Sequence, residues 1–165
     1  MQIRIAQEED LPQIVGIYNQ AVAERGATAD LEPVSLEDRS KWFRAHDAHT
    51  YPIFVALSEE KVIGWCSLSP YRPGRAALRQ TAEISYYIDE RHLRQGVGSA
   101  LIRHAMEQCG RLEIRNLFAL LLDINEASVR ILEKLGFKQW GHMPGIAEID
   151  DKECGHLIYG KNIRP

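Results

Sequence analysis

Cysteine is scarce in this sequence, and the three cysteines that occur form no recognisable pairing pattern. Cys66, Cys109 and Cys154 are an odd number, lie far apart and include no C-x-x-C pair. Such spacing argues against both a disulfide framework and a zinc site. We therefore expect a protein of a reducing compartment, the cytoplasm, that needs no metal.

An excess of one charge sign and long apolar runs are also missing. The chain carries 20 Lys and Arg against 23 Asp and Glu, for a formal net charge of -3. No global basic field is therefore expected to hold nucleic acid or an anionic membrane. The first residues lead into an acidic helix start and lack the apolar stretch of a signal peptide or a membrane span. These absences predict a protein that binds neither nucleic acid nor membrane.

What the sequence does contain is enough apolar residues for one sizeable core. Hydrophobic residues make up 45% of its 165 residues, which fits one domain spanning residues 1–165. Apolar runs and helical spacing predict seven strands and four helices, and this order indicates a mixed α/β domain. The predicted strands are 3–6, 53–57, 62–68, 81–89, 117–122, 137–141 and 154–163, and the predicted helices follow Asp10, Ser35 and Gly96 or begin at Ala127.

A strand, a polar turn and two glycines form the most informative local pattern. The strand runs through Ile88, and Gly96-Val97-Gly98 opens a helix whose first N–H groups lack an internal acceptor. Glycine allows close approach and the helix dipole favours negative charge, so the loop can bind phosphate. No Lys-Ser or Lys-Thr follows and a third glycine is missing, which disfavours a P-loop nucleotidase and a dinucleotide fold. The spacing fits equally well a pyrophosphate site without a metal and a purely structural connection.

Longer motifs in the chain resemble a known family. The segments EISYYIDERHLRQGVGSALI and INEASVRILEKLGF resemble the acetyl-CoA core of the GNAT acetyltransferases in order and separation. The segments AVAERGATADLEPVSLEDRSKWF and YRPGRAALRQTAEISYYI resemble the phosphinothricin and methionine-sulfoximine acetyltransferase branch. This resemblance implies the α/β GNAT fold, in which helices flank a mixed, mostly antiparallel sheet that is splayed at the acetyl-CoA site. It also implies a homodimer.

The resemblance further implies which residues hold the cofactor. Backbone groups of the central strand are expected to pair with the pantetheine arm as an added strand would. The glycine loop is expected to hold the pyrophosphate. Asn125, expected near the amide or thiol end, also fits the N-terminal cap of the next helix. The implied cofactor residues are Tyr86, Tyr87 and Ile88 on the strand, Arg94, Gln95, Gly96, Val97, Gly98 and Ser99 in the loop, and Asn125 and Ser128.

Two positions depart from the family pattern. Leu93 stands where the glycine motif usually begins with Gln or Arg, which removes one polar contact but leaves the N–H groups of the loop. Leu132 stands seven residues after Asn125, where many members have a Tyr that protonates the leaving thiolate. The sequence therefore names no general acid.

The acceptor amine needs a base. An alkylamine, with the Lys pKa of about 10.4 as the nearest reference, is mostly protonated near neutral pH, whereas only the neutral form attacks a thioester. The resemblance implies that Glu83 accepts the proton, directly or through water. From the residues alone, an ion pair between Glu83 and nearby arginines is the favoured interpretation. The backbone N–H of Tyr87 is the expected donor to the thioester oxygen.

Three arginines lie in an irregular loop just before Glu83. Arg72, Arg75 and Arg79 can each bind a carboxylate or phosphinate through two contacts, although from the residues alone a solvated surface loop is the favoured interpretation for any one of them. Arg75 matches the branch best and is the expected substrate-binding residue. Residues 27–34, of mixed composition, form a candidate lid.

Together these features predict an N-acetyltransferase that moves acetyl from acetyl-CoA to the primary amine of a small amino acid or analogue. Phosphinothricin, methionine sulfoximine and methionine sulfone are the expected type of acceptor, and Glu83 is the expected general base. Two alternatives stay open. One is a different amine acceptor, such as a protein N-terminus or a polyamine, and the other is a non-catalytic acyl-CoA sensor in which Glu83 is structural.

Overall fold

Seven strands form one sheet in the computed structural model, which describes residues 1–163. Four helices and three short 3-10 turns connect them. The strands are β1 (Gln2–Ile5), β2 (Ile53–Ser58), β3 (Lys61–Pro70), β4 (Thr81–Ile88), β5 (Asn116–Leu122), β6 (Lys138–Ile149) and β7 (Lys152–Asn162). The helices are α1 (Leu11–Glu24), α2 (Leu36–Arg44), α3 (Val97–Gln108) and α4 (Glu126–Lys134), and the 3-10 turns are Glu8–Asp10, Ala76–Leu78 and Glu90–His92.

The strand order across the sheet is β1-β2-β3-β4-β5-β7-β6. Every neighbouring pair is antiparallel except β4 and β5, which run parallel and are connected through α3. Two parallel strands need such a crossover because a tight turn cannot join them. The predicted mixed, mostly antiparallel sheet is therefore confirmed.

Helices on the two faces of the sheet create two hydrophobic clusters. On one face α3 and α4 pack against the central strands around the fully buried Leu101, Leu117 and Leu132. On the other face α1 packs around Ile14 and Trp65, and the Trp65 indole N–H donates to the Ile14 carbonyl at 3.1 Å. β4 lies between the two clusters and can therefore present side chains to both.

Ser35 and Asp10, the residues predicted to precede α2 and α1, make different contacts. The Ser35 hydroxyl accepts a hydrogen bond from the Asp38 N–H at 3.1 Å and caps α2, as the sequence predicts. Asp10 makes no such bond to α1. Its carboxylate binds the Arg4 guanidinium at 2.6 and 2.9 Å and accepts from the Gln7 N–H at 2.7 Å, which joins β1 to the turn before α1.

The strand predicted for residues 137–141 is too short, because β6 continues to Ile149. Pro144 and Gly145 indicate a turn in the sequence, but in the fold they lie where the register with β7 is irregular, between Met143 and Ala147. β6 is an edge strand, where a proline without an N–H interrupts no second partner. The position of β6 at the edge of the sheet therefore explains why the turn-forming residues Pro144 and Gly145 are tolerated within this strand.

The cysteines and helices give two further findings. Cys66, Cys109 and Cys154 are all free and buried. Burial raises the pKa of the Cys66 thiol, as expected for a small core residue. Within residues 1–163, no helix combines the length and the apolar composition needed to cross a bilayer.

Candidate active site

The parallel strands β4 and β5 separate soon after they begin to pair. Thr81, Ala82 and Glu83 pair with residues 116–118 of β5, and no later residue of β4 in the described part of the chain pairs with β5. β4 stays paired with β3 up to Ile88. The separation leaves a V-shaped cleft between β4 and β5, which we call the splay cleft.

The backbone of β4 offers hydrogen-bonding groups to this cleft at alternate residues. The Asp89 N–H donates to the Ile63 carbonyl of β3 at 3.0 Å, and the register between β3 and β4 has no shift. Alternation then directs the backbone groups of Tyr87 to β3 and those of Tyr86 and Ile88 to the splay cleft. The Tyr87 N–H therefore points to β3 and is used within the sheet. It is not available to the thioester oxygen, contrary to the expectation from the sequence, so a neighbouring residue of β4 would have to supply that hydrogen bond.

The glycine loop leaves N–H groups free at the start of α3. Gly96 precedes the helix with φ of 83°, a left-handed conformation that suits glycine, and no side chain in the described part of the chain caps the helix. The Ala100 N–H donates to the Gly96 carbonyl at 3.0 Å, so the N–H groups of Val97, Gly98 and Ser99 precede the first helical bond. Such an end can bind an anion.

The residues around this loop hold its shape. Asp89 accepts hydrogen bonds from the Arg91 guanidinium and backbone, from His92 and from the Gln20 side chain. These bonds, that from Arg91 first, hold the pKa of the Asp89 carboxyl far below its usual range. The Gln95 amide donates to the Arg91 carbonyl at 3.0 Å. The side chains of Leu93 and Arg94 face solvent, so the missing polar residue at 93 leaves the backbone of the loop intact.

The opposite wall of the splay cleft begins with α4. The Asn125 side-chain oxygen accepts from the Ser128 N–H at 3.2 Å and thus caps α4. The amide nitrogen of Asn125 makes no hydrogen bond to residues 1–163 and is available to another partner. Leu132, one turn beyond Ser128, is fully buried in the core and carries no proton to donate.

Glu83 lies at the last position of β4 that pairs with β5. It is opposite Ser69 of β3 and Phe118 of β5. Its carboxylate is half-buried, and this burial raises its pKa above the usual value for a glutamate. Within the described residues no cation forms an ion pair with it. The ion pair favoured from the residues alone is therefore not formed, and the carboxylate is free for other chemistry.

A comparison with known proteins decides the family. The sequence profile of the acetyltransferase (GNAT) family matches residues 14–137. The chain belongs to the GNAT acetyltransferase family. The GNAT fold implied by the sequence is thereby confirmed, and the protein is an N-acetyltransferase.

Individual relatives narrow the branch within the GNAT family. The Bacillus subtilis protein YwnH is 42% identical over 164 residues, 99% of both chains. An L-methionine sulfoximine/L-methionine sulfone acetyltransferase of Pseudomonas paraeruginosa is 33% identical over 88% of this chain and 85% of its own. Among solved structures, a phosphinothricin acetyltransferase from Sinorhizobium meliloti in complex with acetyl-CoA has a TM-score of 0.92 at 27% identity, covering 98% of this chain and 88% of that one.

A short chain of polar contacts in this GNAT enzyme ends at Ser69, the residue opposite Glu83 on β3. Ser69, across from Glu83, lies 3.2 Å from His46 Nε2, and His46 Nδ1 lies 2.8 Å from the Trp42 carbonyl oxygen. A carbonyl can only accept, so Nδ1 carries the proton and Nε2 accepts from the Ser69 hydroxyl. Burial lowers the pKa of His46, which favours this neutral form. His46 thus fixes the orientation of the Ser69 hydroxyl, at the β3 position opposite Glu83.

A second group of residues in the GNAT enzyme was not foreseen from the sequence. The Arg39 guanidinium lies between two aromatic rings, 4.1 Å from the centre of Tyr18 and 4.7 Å from the centre of Trp42. The Tyr18 hydroxyl bonds the Thr28 hydroxyl at 2.8 Å and the Asp30 carboxylate, both in the predicted lid. The spacing of Arg39 and Trp42 on α2 indicates a shared helix face, but the contact with Tyr18 depends on how α1 and α2 pack.

Tyr87 connects this second group to β4. Its ring centre lies 4.9 Å from that of Tyr18, in an edge-to-face arrangement, and 4.9 Å from that of Trp65. Glu83 and Tyr87 project from the same face of β4 because side chains alternate along a strand. The Arg39 group and the Glu83 carboxylate therefore lie on one face of the sheet.

The arginine loop of the GNAT enzyme lines a separate cavity of about 360 Å³. Arg72, Arg75 and Arg79 contribute to its wall together with Tyr51 and Tyr71. None of the three arginines forms an ion pair with a residue in 1–163. The structure does not bring Glu83 into this wall. Tyr71, in edge-to-face contact with Phe118 of β5 at 5.1 Å, joins the cavity to the strand pair that carries Glu83.

Proposed function

We propose that this N-acetyltransferase transfers acetyl from acetyl-CoA to the primary amine of a small amino acid or analogue, of the phosphinothricin and methionine sulfoximine type. The observation that carries the proposal is the half-buried carboxylate of Glu83 at the apex of the splay cleft, which has no ion-pair partner among residues 1–163. The relatives named above act on acceptors of this type by their names.

The cofactor half of the proposal rests on the cleft and the glycine loop. When bound, acetyl-CoA would supply the activated acetyl thioester. The free N–H groups of residues 97–99 suit its pyrophosphate, and the backbone of Tyr86 and Ile88 suits the amides of its pantetheine arm. Asn125 retains a free amide nitrogen toward the same arm, with Ser128 beside it. The solved relative from Sinorhizobium meliloti contains acetyl-CoA, which supports this use of the fold.

The acceptor half of the proposal rests on Glu83. Its raised pKa makes it a better proton acceptor than an exposed glutamate, because base strength rises with pKa. In its ionised form the carboxylate takes a proton from the bound ammonium or amine, directly or through water. A free arginine can hold the carboxylate of the acceptor while this happens, which fixes the amine in position.

Removing the Arg75 guanidinium should weaken catalysis with amino-acid acceptors. We expect Arg75→Ala to lower kcat/KM for methionine sulfone by about 10-fold, the cost of one charge-assisted contact. The kcat/KM of Arg75→Lys should fall between those of the wild type and Arg75→Ala, because Lys keeps the charge but cannot make two parallel hydrogen bonds. Steady-state kinetics measures kcat/KM for the three proteins. Calorimetry measures their affinity for acetyl-CoA, which should be the same in all three.

Two variants show whether the effect is specific to Arg75. Arg44→Ala removes an exposed arginine paired with Glu8, and its kinetics should match the wild type. If Arg75→Ala behaves like Arg44→Ala while Arg39→Ala loses activity, the acceptor carboxylate binds to the stacked arginine of α2 and the assignment to Arg75 is wrong.

A panel of acceptors tests the substrate class. At one acetyl-CoA concentration, we expect methionine sulfone and phosphinothricin to release free thiol faster than spermidine or a short peptide, because spermidine offers no anion to a free arginine. Faster acetylation of spermidine or the peptide would refute the acceptor class and leave the acetyltransferase standing. Binding of acetyl-CoA without thiol release for any acceptor would instead favour a sensor.

We also propose a homodimer and a cytoplasmic location. β6 is an unpaired edge of the sheet within the described residues, and it exposes Trp140, Met143 and Ile146. Exposed apolar residues on a free edge favour contact with another chain. The three buried free thiols fit a reducing compartment.

A further inference from the structure

A half-buried arginine on α2 has no anionic partner in the described part of the chain. The Arg39 guanidinium is stacked on the rings of Tyr18 and Trp42. It donates no hydrogen bond and forms no ion pair within residues 1–163. Asp30, in the same group of residues, is bonded by the Tyr18 hydroxyl instead. Because stacking uses the faces of the guanidinium and not its N–H groups, Arg39 is free to bind an oxyanion.

One set of contacts leads from Arg39 to the end of β4 where the splay cleft is wide. Tyr18, on which the guanidinium is stacked, meets the ring of Tyr87 edge-to-face with 4.9 Å between the ring centres. Burial raises the pKa of the Tyr87 hydroxyl, and the positive charge of Arg39 opposes this rise. Arg39 is therefore close enough to the Tyr87 end of β4 to act on it electrostatically.

A second set of contacts leads from Arg39 toward the proposed base. The ring of Trp42 lies 4.8 Å from that of His46, centre to centre, and His46 Nε2 lies 3.2 Å from the Ser69 hydroxyl oxygen. Ser69 is the residue of β3 opposite Glu83. Burial raises the pKa of Glu83, and no charge among residues 1–163 opposes this rise. Arg39 therefore lies on the same face as Glu83 but away from its carboxylate.

This placement determines which part of an acceptor can reach Arg39. Glu83 and Tyr87 lie on one face of β4, roughly 13 Å apart at about 3.3 Å per residue. An amine held at Glu83 has its α-carboxylate on the neighbouring carbon, so that carboxylate stays near Glu83. The group at the end of a short side chain can extend along β4 toward Tyr87. Arg39 is thus placed for the end of the side chain.

We propose that Arg39 binds the oxygens of the tetrahedral group at the end of the acceptor's side chain and thereby selects acceptors that carry such a group. This inference rests on the proposed function, because it presupposes an amino acid whose amine lies at Glu83. Arg75 then holds the carboxylate that every amino acid carries, whereas Arg39 binds the phosphinate of phosphinothricin or the sulfone of methionine sulfone. A phosphinate can accept two parallel hydrogen bonds from the planar guanidinium, and the neutral sulfone accepts weaker ones.

Arg39→Met tests the inference with a matched pair of acceptors. Methionine and methionine sulfone have the same chain and differ only in the sulfone oxygens. In the wild type, kcat/KM should be about 10-fold higher for the sulfone, as expected for one hydrogen bond from a charged donor. Arg39→Met should remove this preference and leave kcat/KM for methionine near the wild-type value. For phosphinothricin the variant should lose about 10²-fold, because the phosphinate is charged.

Two further variants separate acceptor binding from packing. Arg44→Met makes the same substitution at an exposed position of the same helix and should leave the sulfone preference unchanged. Arg39→Lys keeps the charge but cannot make two parallel hydrogen bonds, so it should lose less activity with phosphinothricin than Arg39→Met does. Calorimetry of each acceptor with the CoA complex gives the same comparisons as dissociation constants when turnover is slow.

Each contrary result has a distinct meaning. If Arg39→Met lowers kcat/KM equally for methionine and methionine sulfone, Arg39 binds the α-carboxylate or only packs α1 against α2, and the inference is overturned. An unchanged sulfone preference in the variant overturns it as well, and so does a wild type that shows no such preference. A wild type that acetylates none of the three amino acids overturns the proposed function, and this inference with it.

Discussion

Replacing Glu83 with Gln should lower kcat by roughly 10²-fold or more, the range expected for loss of a general base. The variant keeps the shape of the side chain but cannot accept a proton from the amine. Acetyl-CoA affinity should stay unchanged, because Glu83 lies at the apex of the splay cleft and away from the glycine loop. Single-turnover rates and calorimetry on the same preparations measure both quantities.

The pH dependence gives this experiment a second, independent measurement. In the wild type, kcat/KM should rise with pH through an inflection above the usual glutamate value of 4.5, because burial raises the pKa of Glu83. The folded state then binds this proton more tightly than the unfolded state. Stability contributed by the protonated form is present below pH 4.5 and is lost as the pH rises through the folded pKa.

Glu83→Gln should therefore be more stable than the wild type at pH 7, and this difference should disappear below about pH 4. Chemical denaturation at the two pH values measures it. If Glu83→Gln is less active but more stable than the wild type, the Glu83 carboxylate serves catalysis at a cost in stability. Near-wild-type turnover across the pH range would place the base elsewhere and make Glu83 structural.

A branched side chain at Gly98 should raise the dissociation constant for acetyl-CoA by about 10²-fold, or about 2.8 kcal/mol. A Cβ at this position would lie 3.7 Å from both Ile88 and Ile131, in ordinary contact. The two further methyl groups of valine must then push the start of α3 away from β4. This movement displaces the free N–H groups on which pyrophosphate binding depends.

Two variants separate this effect from a general loss of structure. Gly98→Ala adds only the tolerated Cβ, so its acetyl-CoA affinity should stay close to that of the wild type. Gly16→Val places the same residue in α1, where a Cβ would meet no atom within 4 Å, and should leave affinity unchanged. Unchanged affinity in folded Gly98→Val protein would mean that the phosphates bind away from this helix.

Local sequence signals predicted much of the fold and part of the site. The Ser35 cap, the hairpin of β2 and β3, and the strand, loop and helix around Gly96 each depend on neighbours within a few residues. The position of Glu83 followed from a resemblance and from strand spacing. The length of β6 was missed because Pro144 and Gly145 are turn-forming residues by themselves, and only the edge position makes them tolerable.

The remaining site residues depend on contacts between distant segments. Arg39 is stacked because α1 brings Tyr18 over α2, and no pattern in either helix encodes that approach. Such features arise from packing distances, which a single sequence does not specify.

The short pairing between β4 and β5 divides the sheet into two half-sheets, one of β1 to β4 and one of β5 to β7. Only three residue pairs of the described chain, at the narrow end of the cleft, join β4 to β5. A ligand bonded to both β4 and α4 would link the two half-sheets at the wide end of the cleft and oppose their separation. The rigidity and thermal resistance of the whole enzyme should then follow the supply of its cofactor, by mass action on the folded state.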